Sequence, residues 1–548
     1  MSVNPRRSSS LSSQLVSVLV ASMVTMSMAA LVPAKALGAS AEAPSPRPRL
    51  VVGIIVEGLT ADYVDLLRSN MGEGGFNRFI RDGVVIDNVD YGPGIDATAA
   101  TAILMSGAAP GVNGIPSGRV WDPKMRFDIP VLLPADKAGR YTDADLSPKA
   151  LQVSTLADEI RIADGGISGV YSIASDPQTA ILLAGHAGNS ATWISETDGK
   201  WTRSTSHPGF PTVLARRNVG LTLASRLDTL SWQPLKSLDS YPDLPAHKKT
   251  YPFRYTFPSR FPDRFRQFNA SAAGNHEIVT AATDYISGLK LGKREVTDML
   301  ALGLDVSPFP YSLEADSRLE RMDAYLRLDA DIASIIKAVE EGPGMANTLL
   351  FIAGTPAPSS VRRDDEKWAI PSGQFSPRKA TSLLNMYLIA LHGNGEWVNG
   401  YHNGFFYLNR NLIKDRDLDE RAIRAEAAEF LARMSGVADV YTIDDILARR
   451  AGDNPLAIQR NISPSHAGDL MVRVSPGWVV SDSETSVELA QQPVVRWQAT
   501  TSPVYILSPA VTSTEIGETV DARAIAPTIA RILRIRSPNG AALPPLKL

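Results

Sequence analysis

The chain has 548 residues, 44% of them hydrophobic and 21% charged, with a net charge of −3. This is globular composition, long enough for one large α/β domain with insertions or for two to four smaller units, and its balance implies neither a nucleic-acid nor an anionic-membrane partner. The absence of cysteine removes disulfides, thiolate catalysis and zinc–thiolate sites together, and only seven histidines are available as imidazole ligands.

In chain order, Arg6 and Arg7 precede an apolar run over residues 15–32, and Ala34-Lys35-Ala36 fits a small-x-small cleavage site. Residues 1–36 therefore read as an export signal, with a retained anchor as the alternative. Residues 37–49, rich in Pro, Ala and Ser, read as a linker, and no later segment is long and apolar enough to span a bilayer. Residues 50–56 form a β-branched run typical of a buried parallel strand, followed by a Gly-containing loop and a helix from about Asp62. Similar apolar runs predict strands at 169–174, 299–304, 348–353, 386–391 and 503–507. Helical patterns cover 151–163, 317–340, 419–434 and 522–533. The alternation predicts an α/β fold, a doubly wound, mostly parallel sheet flanked by helices over residues 50–548. Residues 188–276, rich in Pro, aromatic and polar side chains, read as a cap or insertion. Ligands in such sheets bind at the carboxyl ends of strands, here Glu57, Asp305, Gly354 and the loop before Thr98. That loop opens "GPGIDATAATAILMSG", residues 92–107, where a helix N-terminus offers free N–H groups to an anion beside the hydroxyls of Thr98 and Thr101.

Several stretches together resemble the alkaline phosphatase superfamily. They are "LVVGIIVEGLTADYVDLL", "GGFNRFIRDGVVIDNVDYG", "TAILMSGAAPGVNGI", "LLAGHAGNSATWISETDGKW", "GNGEWVNGYHNGFFYLNRNLI" and "DARAIAPTIARILRI". The resemblance is closest to the phosphodiesterase-related (nucleotide pyrophosphatase-like) periplasmic alkaline phosphatases of Bacteroidota, and it covers nearly the whole chain after the signal. It implies two zinc ions that activate a Thr or Ser nucleophile and hold the leaving oxygen.

Carried over residue by residue, the resemblance puts Glu57 in the slot of the first metal-binding Asp. Counting back from Ser106-Gly107 puts Ala97 in the nucleophile slot and Thr101 in a His slot. Thr98, the nearest hydroxyl, is one residue late. In the next metal segment Asp305 is kept and Phe309 stands where a His belongs; Gly354 and Thr355 fill the following Asp-His slots. No histidine follows His466, so the last imidazole ligand has no candidate. The phosphate-contact slots hold Gly118, Asp176 and Gln178. Glu57, Asp305 and Asp96 are read either as carboxylates that cap loops or as oxygen ligands for one Mg²⁺ or Ca²⁺ ion. Thr98 reads as a helix cap, Thr101 as a core-facing hydroxyl, His186 as a hydrogen-bonded structural residue and His402 as packing. Residues 415–426 read as a solvated helix face. Arg362–Trp368 reads as a charged loop beside the former site.

The preferred reading is an exported, periplasmic or secreted, pseudo-phosphatase without the dinuclear zinc site and without a cofactor, binding a protein or glycan partner in the cell envelope. Two alternatives stay open. One is a metal-dependent phosphomonoesterase or phosphodiesterase with a rearranged site. The other is a lyase- or transferase-like activity using Glu57 as a base.

Overall fold

The computed structural model describes residues 47–548 apart from 138, 245, 313, 315, 358–371, 486–491, 493 and 496–500. The signal segment 1–36, most of the linker and the Arg362–Trp368 loop lie outside the described residues.

The β-branched run forms strand β1, Leu50–Glu57, whose side chains alternate between two apolar layers. Leu50, Val52, Ile54 and Val56 enter one buried cluster, and Val51 and Ile55 enter the other. Burial on both faces is what a continuous apolar strand at the centre of a helix-covered sheet requires. The remaining strands of this sheet are β2 (Val84–Asp90), β3 (Val170–Ala174), β4 (Ser190–Ile194), β5 (Trp201–Arg203), β6 (Asp298–Asp305), β7 (Thr348–Thr355), β8 (Thr501–Leu507), β9 (Thr514–Ile516) and β10 (Val520–Asp521). They lie in the order β9-β2-β8-β7-β1-β6-β3-β4-β5, with β10 paired to β2. The pairs β1–β6, β1–β7, β6–β3 and β3–β4 are parallel, whereas β8 runs antiparallel to both its neighbours and β5 runs antiparallel to β4. Helices Ala272–Gly288 and Arg318–Glu341 pack on one face, and helices Ala97–Ser106, Leu156–Ala163 and Ile525–Ile532 on the other. The mostly parallel, doubly wound sheet is thus present, with β8 as an antiparallel strand that its apolar run did not distinguish.

Four expectations need correction. The run at 386–391 is not a strand but part of helix Pro377–His392. Its Leu384 and Leu388 are buried while Leu383, Met386 and Leu391 are exposed, so the apolar run wraps a helix, and run length alone does not separate the two. The helix expected from 151 begins at Leu156, where Thr155 and Asp158 form a capping box. The stretch 188–276 does not lie wholly over the sheet, because β4 and β5 are strands within it. The helix expected at 419–434 is Glu420–Leu431, and it belongs to a second layer that was not foreseen.

That second layer is an accessory unit between β7 and β8. Its four antiparallel strands lie in the order Val398–His402, Phe405–Leu408, Leu470–Val474, Val437–Thr442. Helices Pro377–His392 and Glu420–Leu431 cover it and close a separate core that includes Trp397, Phe406 and Leu470.

Candidate functional site

Register builds the first half of the site. In the parallel triplet β7-β1-β6, Glu57 stands directly between Asp305 and Thr355, and Val56 is level with Gly354. Four of the five strand-derived metal slots therefore sit together at the carboxyl ends of three adjacent strands. Asp305 is tied down by the Ser307 N–H (2.7 Å) and hydroxyl, while Asn275 holds its backbone. The Glu57 carboxylate has no hydrogen-bond donor among the described residues. Burial pushes its carboxyl well above the ordinary range, and Asp305, Asp176 and Asp96 push it further in the same direction.

The second half comes from two helix starts. Helix Ala97–Ser106 is capped by Asp96, whose Oδ1 accepts from the Ala99 N–H (2.9 Å) and whose Oδ2 accepts from the Gly118 N–H (2.7 Å). The cap is therefore Asp96 and not Thr98, because only a residue just outside the helix can turn its side chain back onto the free N–H groups. Ala97 is the first helical residue, so the nucleophile slot carries a methyl group. Thr101 is buried and returns its hydroxyl to the Ala97 carbonyl at 2.8 Å. Helix Pro177–Ala184 is capped by Asp176, and Gln178 spans from the Gly118 carbonyl (2.9 Å) to the Leu132 N–H (3.2 Å). Burial raises the carboxyls of Asp96, Asp176 and Asp305 as well. Glu57, Asp96, Ala97, Thr98, Gly118, Asp176, Gln178, Asp305, Gly354 and Thr355 are thus brought to one end of the sheet.

Phe309 is the residue whose surroundings differ most from a ligand's. Its ring lies 5.0 Å from that of Trp232, 4.7 Å from Tyr255 and 5.7 Å from Tyr311, inside an apolar cluster shared with the 212–269 segment. A side chain at Gly354 has no room, since a Cβ there stands 2.8 Å from the Leu59 carbonyl and 2.9 Å from Ser502 Cβ. A Cβ at Gly118 stands 2.8 Å from Thr98 Oγ1.

Histidines lie elsewhere. His186 is structural, as expected: Nδ1 lies 3.1 Å from Asp158 and Nε2 3.0 Å from the Leu151 carbonyl, and the Asp158 bond raises its pKa. His402 is not merely packed. Its Nε2 lies 3.0 Å from the Arg119 carbonyl, and its charge when protonated favours the ionised Asp96. Two phosphate-bearing features are also reversed. The helix N-terminus is occupied by Asp96, and the acid Asp176 stands in the slot where the resemblance expects a basic residue.

These residues do not fit a pair of zinc ions. Two zinc ions need several imidazoles as well as carboxylates, and the slots offer a phenyl ring, a glycine and a buried threonine instead. Among the described residues no group of three or more His, Asp or Glu side chains is arranged to hold a metal.

Sequence reasoning missed two supports of the site. Arg321, on helix Arg318–Glu341, donates to the Gly58 carbonyl at 2.9 Å and lowers Asp305 electrostatically. Tyr91 donates its hydroxyl to the Gly354 carbonyl at 2.5 Å. Arg321 stands in no motif, on a helix that was legible but whose facing partner was not; Tyr91 lies just after β2, inside a stretch that carries the resemblance, where nothing marked its partner.

A mostly parallel helix-flanked sheet with these positions gathered at its strand ends has the α/β architecture of the alkaline phosphatase superfamily. More specifically, the chain belongs to the type I phosphodiesterase / nucleotide pyrophosphatase family, whose model matches residues 51–496. Alkaline phosphatase PhoV of Synechococcus elongatus is 25% identical over 520 residues, covering 90% of this chain and 91% of PhoV. Alkaline phosphatase PafA of Elizabethkingia meningoseptica is 24% identical over 542 residues, covering 93% of this chain and 96% of PafA. The crystal structure of wild-type PafA matches the fold with a TM-score of 0.77 at 23% identity, covering 91% of this chain and 98% of that one.

Proposed function

We propose that this family member is an exported pseudo-phosphatase that works without a bound metal, with a binding or assembly role in the cell envelope toward a protein or glycan. The observation that carries this reading is the filling of the former metal half of the site. Phe309 is locked among aromatic rings, Gly354 has no space for a carboxylate, and Ala97 offers no nucleophile. The chemistry of the strand ends supports it too: Glu57, Asp96, Asp176 and Asp305 place acids there rather than the cations that would hold a phosphate dianion. Export is supported by the Arg6-Arg7 start, the apolar run and Ala34–Ala36. No helix among the described residues is long and apolar enough to cross a membrane.

The competing reading is an active phosphomonoesterase or phosphodiesterase with a rearranged, one-metal site. It draws on the names of PhoV and PafA as alkaline phosphatases. Two measurements separate the readings: metal content of the purified protein, and hydrolysis of an aryl phosphate and a bis-aryl phosphodiester with added Zn²⁺, Mg²⁺ or Ca²⁺. The pseudo-phosphatase reading expects no stoichiometric metal, no turnover above buffer and no change of melting temperature with EDTA. Metal-dependent turnover that disappears in Thr98→Ala overturns it. Mass spectrometry of the exported protein is expected to place the N-terminus near Leu37; an intact Met1 indicates a retained anchor.

A further inference from the structure

Beside the former active site lies a cleft of about 830 Å³ between the main sheet and the accessory unit, a volume within the ~300–1,000 Å³ typical of ligand pockets. One wall is the 90–95 loop that leads into helix Ala97–Ser106. The other is formed by strands Val398–His402, Phe405–Leu408 and Leu470–Val474, with helix Pro455–Arg460 and the turn after it closing the end. The chemistry of this lining differs from that of the strand ends. Among the described residues its arginines are already spent: Arg119 pairs with Asp128, Arg460 with Asp521 and Arg473 with Asp439. The Asp90 carboxylate is taken by the Gly92 N–H.

Apart from the exposed carboxylate of Asp453, the groups left over include an amide and two imidazoles. Asn461 is 8% exposed and donates to the Pro93 carbonyl at 3.0 Å, which leaves its buried Oδ1 without a donor. The His466 ring meets no partner among the described residues, and burial lowers its pKa and keeps it neutral. His402 uses Nε2 on the Arg119 carbonyl and retains Nδ1. Between these groups lies an apolar floor that includes Ile95, Val120, Phe405, Ile458 and Met471. A buried amide oxygen and unspent imidazoles reward a ligand that brings hydroxyls, and the apolar floor rewards a hydrocarbon face.

We propose that this cleft binds a neutral oligosaccharide. A sugar ring carries both required surfaces, a C–H face for the floor and a hydroxyl rim for Asn461, His402 and His466. Among the described residues, a phosphate-bearing or acidic ligand finds no unpaired arginine in the lining and meets the carboxylate cluster next door. The inference rests on the binding role proposed above and assigns that role's ligand class.

The test is isothermal titration of the purified protein with chitotetraose, cellotetraose and maltotetraose, and with AMP as the anionic control. At least one tetrasaccharide is expected to bind with a millimolar or tighter Kd, and AMP is not. Ala467→Trp, which fills the cleft, and His466→Leu, which removes its free ring nitrogens, are each expected to weaken that binding at least tenfold. Of the two, any variant that keeps the wild-type melting temperature decides the matter. Absence of binding by all three sugars, binding of AMP instead, or binding indifferent to both substitutions overturns the inference. The two failures separate, because aryl phosphate hydrolysis by the same sample tells against the pseudo-phosphatase reading. A flat titration in a sample without hydrolysis tells against the cleft alone.

Discussion

Asp323, in the second turn of helix Arg318–Glu341, accepts hydrogen bonds from Trp232 Nε1 (2.7 Å), Tyr241 Oη (2.7 Å) and the Leu235 N–H (2.5 Å), and pairs with Arg327 (2.7 Å). Glu57, at the end of β1, has no donor among the described residues and is raised by burial and further by three neighbouring acids. Asp323 is fully buried and Glu57 partly so, yet the first is saturated with partners and the second is opposed by its surroundings. A structural acid is retained with the donors that offset its desolvation. An acid held among other acids without donors costs the fold stability, and it is what the proposed pseudo-phosphatase reading expects of a site that keeps its geometry without its counter-charges.

The largest expected effect breaks the saturated side. Asp323→Ala strands an indole N–H, a phenol, a backbone N–H and a guanidinium at once. It should lower unfolding stability by about 3–5 kcal/mol in urea titrations, the scale of breaking a buried pair. A loss below 1 kcal/mol would show that the 212–269 segment is held by its apolar contacts alone.

Next comes an attempt to rebuild the former metal half. Gly354→Asp places a Cβ against the Leu59 carbonyl and Ser502 and adds a fifth acid to the cluster. Overpacking of this kind costs about 1–3 kcal/mol, and no metal-dependent hydrolysis is expected to appear. Unchanged stability together with stoichiometric zinc uptake would refute the assignment of this position as closed.

Glu57→Gln sharpens the contrast by its sign. The folded-state pKa of Glu57 is raised, so the protonated acid is favoured by folding. The stability linked to that protonation is fully present below the ordinary glutamate pKa and is lost as pH rises through the folded value. Glu57→Gln should therefore raise the melting temperature at pH 7, and the gain should shrink toward zero as pH falls below the ordinary glutamate range. A drop at pH 7 that EDTA reproduces in the wild type would mean that a cation satisfies Glu57.

The strand cores and the gathering of the site were largely legible in the sequence, for a physical reason. β1, β6 and β7 are buried on both faces and read as unbroken apolar runs, so their ends fell within a residue or two of Glu57, Asp305 and Thr355. The accessory unit was not legible. Its helix Pro377–His392 leaves Leu383, Met386 and Leu391 exposed, and that removes the polar face which marks a helix. The stretch 188–276 was read only by composition, because the anchors of its 212–269 part reach across the chain to Asp323. In the site itself, residue identities showed what was missing. They did not show that Asp96 joins the helix start to Gly118, or that Phe309 is sealed by Trp232 and Tyr255.

The smallest expected effect concerns the threonine nearest the nucleophile slot. Asp96 supplies both contacts that fix the start of helix Ala97–Ser106, to Ala99 and to Gly118. Asp96→Ala should therefore cost about 1 kcal/mol, the usual scale of a lost cap. Thr98 lies inside the first turn, where alanine is the better helix former by up to ~0.7 kcal/mol. Its lost contact with Gly118 works against that gain, so Thr98→Ala should change stability by no more than about 0.5 kcal/mol in either direction. Ala97→Thr is the complementary experiment, since it returns a hydroxyl to the slot itself. That hydroxyl would sit beside the Asp96 cap, which does not stabilise an alkoxide, so it stays protonated and a weak nucleophile. Aryl phosphate turnover should stay at the buffer rate in Thr98→Ala and in Ala97→Thr alike. If Ala97→Thr hydrolysed the ester in a zinc-dependent manner, the strand ends would still assemble a metal site, and the difference drawn between Glu57 and Asp323 would fail with it.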